Sequence, residues 1–259
     1  KGAEIVGYVL RGLNALFSLI VLLCFFVVAA YAGYALWDNS QVYAAAENVR
    51  DEMLQLKPPE DPEGEEGPTF EELKAINPDV CAWVTLDNTN IDHPVVQGQD
   101  NLTYVNRDVY GNFALAGSIF LDSRNDSSFS DPYSLLYGHH MENSGMFGDL
   151  ALYKEEDFFQ ENSTGYLITP EGVYDLEIFA SLVVSASDQY IFDPEIWHTE
   201  EAAALAHVKE NALYLREHIF QDLDENSRIL ALSTCSGEFS DARTVVLAKM
   251  IPRETRKGG

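Results

Sequence analysis

Residues 15–37 carry one polar side chain, Ser18, in a run of 23. About 20 apolar residues suffice to cross a bilayer core as a helix, so this block predicts one transmembrane helix. Tyr31, Tyr34 and Trp37 gather near its far end, where amphipathic rings favour the interface. The pattern then changes. Residues 40–57 have helix-forming composition and predict a short stalk helix. Residues 58–68 combine prolines, glycines and acids, which deny the backbone regular pairing and predict a linker. Thr69 followed by Glu72 forms a capping box and opens a short helix. From Val80 onward apolar runs are short, as β-strands require: residues 82–86, 91–96, 117–121, 134–137, 165–168, 174–184, 229–233 and 244–251. Asp87-Asn88, Gly111-Asn112 and Pro170-Glu171-Gly172 supply turn chemistry between them. One helical stretch, residues 195–220, interrupts the strands with Ala202, Leu205, Ala206, Leu213 and Ile219 on a helical period. Seven or eight strands at this spacing predict a closed barrel or a sandwich, mainly β with added helices.

Charge adds direction to this layout. The 259 residues hold 16 Lys and Arg against 42 Asp and Glu, a formal charge of −26. Nucleic acid is excluded as a partner on this balance, because phosphate backbones select basic surfaces. Lys1 and Arg11 precede the apolar block, and an acidic region follows it. The positive-inside rule then predicts residues 1–14 in the cytoplasm, 15–37 in the membrane and the rest outside. A cleaved signal peptide is the competing reading, with Ala29-Ala30-Tyr31-Ala32 as the small-residue site, although such apolar regions usually span about 7 to 15 residues. The remainder divides into a stalk and linker at 38–68, a folded domain at 69–253 and a polar tail at 254–259.

Three cysteines are too few for a disulfide framework, and they share no zinc-ligand spacing. Cys24 falls inside the apolar block, and Cys81 sits between Val80 and Ala82 as a packing residue. Cys235 ends the run 229–233 and is followed by Ser236-Gly237, which makes it a buried filler, a disulfide partner of Cys81 or a nucleophile. A nucleophilic thiol needs a base or cation beside it. His139 ends another apolar strand, next to Gly138. His140 is its neighbour, and adjacent residues on an extended chain face opposite ways, so one of the two can aim at the cysteine. Arg243 begins the strand after Cys235 and suits stabilisation of a thiolate or an oxyanion. His93, His198, His207 and His218 read as surface or packing residues. A metal site at His139 and His140 is the rival arrangement, and the acidic loop 122–131 lacks EF-hand spacing.

At these residues the chain resembles the sortases, and class B among them. Leu232-Ser233-Thr234-Cys235 is similar to the family's cysteine strand end, Tyr137-Gly138-His139-His140-Met141 to its histidine strand, and Arg243 to its downstream arginine. Ile91-Asp92-His93-Pro94-Val95-Val96-Gln97, Gly117-Ser118-Ile119-Phe120-Leu121-Asp122 and Gly145-Met146-Phe147-Gly148 extend the resemblance across residues 70–251. Ala231 and Ala82 depart from the family pattern.

The resemblance implies an eight-stranded sortase barrel with an N-terminal helix and a helical insert before the cysteine strand. It implies a membrane-anchored cysteine transpeptidase of Gram-positive bacteria with Cys235, His139 and Arg243 as catalytic residues. Ser233, Thr234, Tyr137, Tyr190 and Ile191 are the expected substrate-binding residues. The implied partners are surface proteins bearing C-terminal sorting signals and a peptidoglycan-precursor or pilin amine, with membrane lipid around the anchor. The implied reaction cleaves the Thr–x bond through a thioacyl-enzyme. Hydrolysis by a tethered cysteine protease is the alternative. No cofactor or metal is expected.

Overall fold

Residues 2–54 wind into a single helix, α1 (Gly2–Leu54), so the expected span and stalk form one continuous element. The computed structural model describes residues 2–60, 66–235 and 241–253, with residues 3, 4 and 235 described by backbone alone. The chain divides into two compact units, Lys1–Ala44 and Ala45–Gly259. In the first, Phe17, Leu23 and Val28 are exposed on a helix long and apolar enough to cross a membrane.

The second unit is built on strands of which β1, β3 and β4 are buried almost throughout, while β5 and the first half of β6 alternate buried and partly exposed residues. After α2 (Phe70–Ile76), opened by the Thr69–Glu72 capping box, come β1 (Val80–Leu86), β2 (Asp92–Val96), β3 (Ile119–Leu121) and β4 (Tyr133–Tyr137). A 3-10 turn (Gly148–Lys154) and α3 (Glu156–Glu161) lead to β5 (Thr164–Thr169) and β6 (Gly172–Ser185). The insert follows, and β8 (Arg228–Cys235) and β9 (Ala242–Pro252) complete the chain. Hydrogen bonding runs β5-β1-β2-β3-β4-β8-β9-β6, and β6 pairs again with β5, closing an eight-stranded barrel. The β1–β2 turn passes through Asn88 at φ +58°, a left-handed position that asparagine tolerates.

The insert departs from the expected helical run at 195–220. It contains α4 (Gln189–Phe192), α5 (Ile196–Thr199), α6 (Glu201–Asn211), a strand β7 (Ala212–Leu215) and α7 (Glu217–Gln221). β7 pairs with β6, Leu215 opposite Ala180, and covers backbone groups that would otherwise form an open edge. Arg216, buried just beyond it, donates from its backbone N–H to the Phe179 carbonyl and from Nη1 to the Ile178 carbonyl, each at 2.7 Å. Those tertiary bonds override the helical periodicity of the segment.

Two of the apolar clusters among the described residues bind the helices to the barrel. One joins Tyr133, Leu135, Phe179, Ile191, Trp197, Val208 and Ala231 between the barrel and the insert. The other packs Met53, from within the expected stalk, against Leu73, Val80, Trp83 and Ile168. Lys57 Nζ reaches Asp92 Oδ1 at 2.7 Å, the Tyr166 hydroxyl at 2.8 Å and Thr85 Oγ1 at 3.1 Å, tying the segment after α1 to β2, β5 and β1.

Candidate active site

Strand pairing brings three strand ends to one rim. β4 and β8 run parallel with Tyr137 opposite Ser233, so His139 and Cys235 each follow two positions beyond that pair. β8 and β9 are antiparallel, and Cys235 is directly opposite Arg243. Gly138 makes the exit of β4 close-fitting. Its N–H donates to the Ser233 carbonyl at 3.2 Å, and an added Cβ would fall 2.5 Å from Ile119 Cδ1 and 2.7 Å from the Phe147 ring. A side chain there would force the histidine strand outward.

His139 Nε2 lies 2.8 Å from the Val105 carbonyl oxygen. A carbonyl only accepts, so Nε2 carries the proton, and in the neutral ring Nδ1 is the nitrogen that can take one. Arg243 is anchored by a bond from Nη1 to the Ala242 carbonyl at 3.0 Å. Both side chains line a cleft of about 350 Å³ together with Asn101, Val105, Phe120, Tyr137, Phe192, Ser233 and Thr234. Ser233 Oγ and Thr234 Oγ1 are buried and have no hydrogen-bond partner among the described residues.

One wall of the cleft is aromatic: Tyr137 packs between Phe120, at 5.2 Å, and Phe192, at 6.4 Å between ring centres. Its hydroxyl donates to Asp122 Oδ2 at 3.0 Å. Asp122 is fully buried, and burial opposes its charge. The hydrogen bonds from Arg124 and Tyr137 outweigh that, and its carboxyl is held below the ordinary carboxylate range. The Tyr137 phenol is pushed above its ordinary value, first by burial and then by the Asp122 charge.

Of the expected site residues, His139, Arg243, Tyr137, Ser233 and Thr234 meet in this cleft. The side chain of Cys235 lies outside the described residues; its backbone ends β8 at the same rim. The other cysteines lie elsewhere. Cys24 is exposed on α1, and burial pushes the Cys81 thiol up to about 12, where it is inert. The structure places the other two expected residues, Tyr190 and Ile191, in the insert beside this cleft. Ile191 is fully buried in the insert core, and the Tyr190 ring lies tilted against His207 at 4.9 Å; among the described residues the lining of the cleft is supplied by their neighbour Phe192. Tyr133 stacks on Trp197 at 4.3 Å and donates to the Ile191 carbonyl, fixing the α4 turn so that Phe192 takes the lining position.

Asn101, Val105, Phe120 and Phe192 were not anticipated from the sequence. The long connection between β2 and β3, residues 97–118, was the available signal for the first two, since structureless loops of that length are usually functional. Among the described residues no group of three His, Cys, Asp or Glu side chains is placed to hold a metal ion. His140 is exposed, and its backbone bridges to Met146.

A profile of the Sortase domain matches residues 84–251. The chain belongs to the sortase family. The protein named Sortase B of Staphylococcus aureus is 31% identical over 186 residues, covering 71% of this chain and 75% of that one. A class B sortase of Streptococcus pyogenes involved in pilus biogenesis superposes with TM-score 0.64 at 39% identity, covering 70% of this chain and 97% of its own. Sortase B of Clostridium perfringens gives TM-score 0.64 at 37% identity, covering 71% and 100%. This sortase is therefore a cysteine transpeptidase, of an enzyme class that acts on sorting-signal substrates, and its cleft sits at the C-terminal end of β4 and β8.

Proposed function

We propose that the cleft receives the C-terminal sorting signal of a surface protein and that Cys235, His139 and Arg243 carry its transfer to an amine. The supporting observation is that the two described members line one cleft while Cys235 occupies the register position opposite Arg243. The thiolate of Cys235 attacks the threonine carbonyl of a signal of the Asn-Pro-x-Thr-x or Ser/Pro-Pro-x-Thr-Gly kind. The guanidinium of Arg243 stabilises the oxyanion that forms. The Thr–x C–N bond then breaks, a proton passes from the His139 imidazolium to the leaving amine, and a thioester remains. An acceptor amine attacks the thioester, gives its proton to His139 and releases the thiolate. Ser233 and Thr234 supply the β8 floor of the cleft beside the path of the peptide, and Tyr137 contributes to the aromatic wall.

The acceptor is an amine of a peptidoglycan precursor. The 39% identity to a sortase involved in pilus biogenesis favours including a pilin lysine amine as the second acceptor. Residues 15–37 anchor the enzyme in the cell membrane with residues 1–14 in the cytoplasm and the barrel outside, where signal-bearing proteins emerge.

The decisive experiment incubates full-length enzyme with a sorting-signal peptide and reads the mass of the thioacyl adduct. Cys235→Ala abolishes the adduct and cleavage; cleavage retained by that variant overturns the assignment. Added amine shifts product from the free acid to the amide, and a product mixture indifferent to amine identifies a hydrolase instead.

A further inference from the structure

Arg124 lies outside the catalytic set, yet it joins two sides of the cleft. Its Nε and Nη2 bond both oxygens of Asp122 at 2.9 and 2.8 Å, just beyond β3. The same Nη2 donates to the Phe192 carbonyl at 2.7 Å, and Nη1 reaches Asp193 Oδ1 at 3.0 Å, both in the insert. Asp122 in turn accepts from the Tyr137 hydroxyl and, at 2.9 Å, from Asn101 Nδ2. One buried carboxylate and one guanidinium thus orient Asn101, Tyr137 and Phe192, which come from three separate segments and face the same cleft.

We infer that Arg124 is a positioning residue that fastens the insert to the barrel at Phe192 and so holds the aromatic wall of the cleft at its working width. The inference rests on the reading of the cleft as the peptide groove. The insert segment around Phe192 is otherwise held from its far side, through Tyr133 and Trp197. On the cleft side the two bonds from Arg124 restrain it. A planar guanidinium serves two carboxylate oxygens and a carbonyl together; a lysine ammonium does not.

The test uses full-length enzyme and an internally quenched Asn-Pro-x-Thr-x peptide. Arg124→Ala is expected to raise KM about tenfold with kcat within about twofold, because the loss is one of ground-state and transition-state binding alike. Labelling of Cys235 by a small methanethiosulfonate, which needs no aromatic wall, stays at the wild-type rate. Asp193→Asn removes only the half-exposed ion pair and leaves KM within about twofold. If Arg124→Ala does not fold, Arg124→Lys carries the test, since it keeps a charge beside Asp122 while losing the forked contact, and a similar rise in KM is expected. An unchanged KM in the folded variant, or a fall in kcat and labelling together, overturns the inference. Phe192→Ala separates the two claims. A raised KM for Phe192→Ala with none for Arg124→Ala overturns the positioning role and leaves the groove reading standing; no change for Phe192→Ala overturns both.

Discussion

The carbonyl oxygen of Val105 lies 2.8 Å from His139 Nε2, so a backbone atom of the β2–β3 connection sets which ring nitrogen holds the proton. That oxygen is itself pinned from behind. Gly117 sits at φ +61°, and a Cβ there would lie 2.5 Å from the same oxygen. Gly117→Ala is expected to displace Val105, release the ring and lower kcat/KM by about tenfold to a hundredfold, as ångström-scale misplacement of an acid–base group does. The nitrogen-15 shifts of His139 report the tautomer, and an unchanged spectrum with unchanged kinetics contradicts the expectation.

Cys81 offers an internal contrast to Cys235. Its thiol is buried in β1, with Sγ 3.5 Å from the Val95 carbonyl. Cys81→Ala is expected to cost about 1–2 kcal/mol of stability through lost packing, with transpeptidation at the wild-type rate. Urea melts and a peptide assay measure the two effects separately.

His93 is buried, its Nε2 has no hydrogen-bond partner among the described residues, and burial followed by the Arg50 charge lowers its pKa to about 4. The unfolded chain takes up this proton as pH falls below the ordinary value of 6.5, while the folded one resists until about 4. Its contribution is therefore complete above 6.5 and declines towards 4, by on the order of 3 kcal/mol. Asp122 and the other carboxyls held low act in a lower window, below their ordinary 3.8. Urea midpoints between pH 4 and 7 are expected to flatten in His93→Gln; an unchanged slope refutes the assignment.

Lys57 gives the opposite limb. Desolvation lowers its pKa, but bonds to Asp92 and Tyr166 outweigh that and the net direction is upward. The ammonium thus contributes stability below its ordinary 10.5, and this is lost as pH rises past the folded value. Lys57→Met leaves Asp92 Oδ1 with Trp83 Nε1 and Thr85 Oγ1 as donors and no cation. A loss of about 1–3 kcal/mol at pH 7 is expected, with a weakened alkaline limb in thermal melts.

Every barrel strand corresponds to a run picked out in the sequence, because each turns at least one face into the core and so keeps apolar residues at regular positions. β7 was hidden for the opposite reason. Leu213, Tyr214 and Leu215 lie half-exposed in a segment of helical composition, and only the free edge of β6 makes them a strand. In the site, Gly138, His139 and Arg243 announce themselves by standing at strand ends. Phe192 does not: its place beside Tyr137 depends on Ile191 being drawn into the insert core by contacts with Tyr133 and Trp197, which no local pattern encodes. Asp122 and Arg124 resemble any charged turn until the fold shows Asp122 buried.

The parallel pairing of β4 with β8 has a consequence for when this enzyme becomes reactive. A chain interrupted anywhere before Arg228 presents His139 without its neighbouring strand, and the sulfur has not yet been made. The ends of β4 and β8 come side by side only after the last segments are synthesised and folded into place. Chain order alone thus makes the rim that carries both strand ends one of the last features of the barrel to be completed.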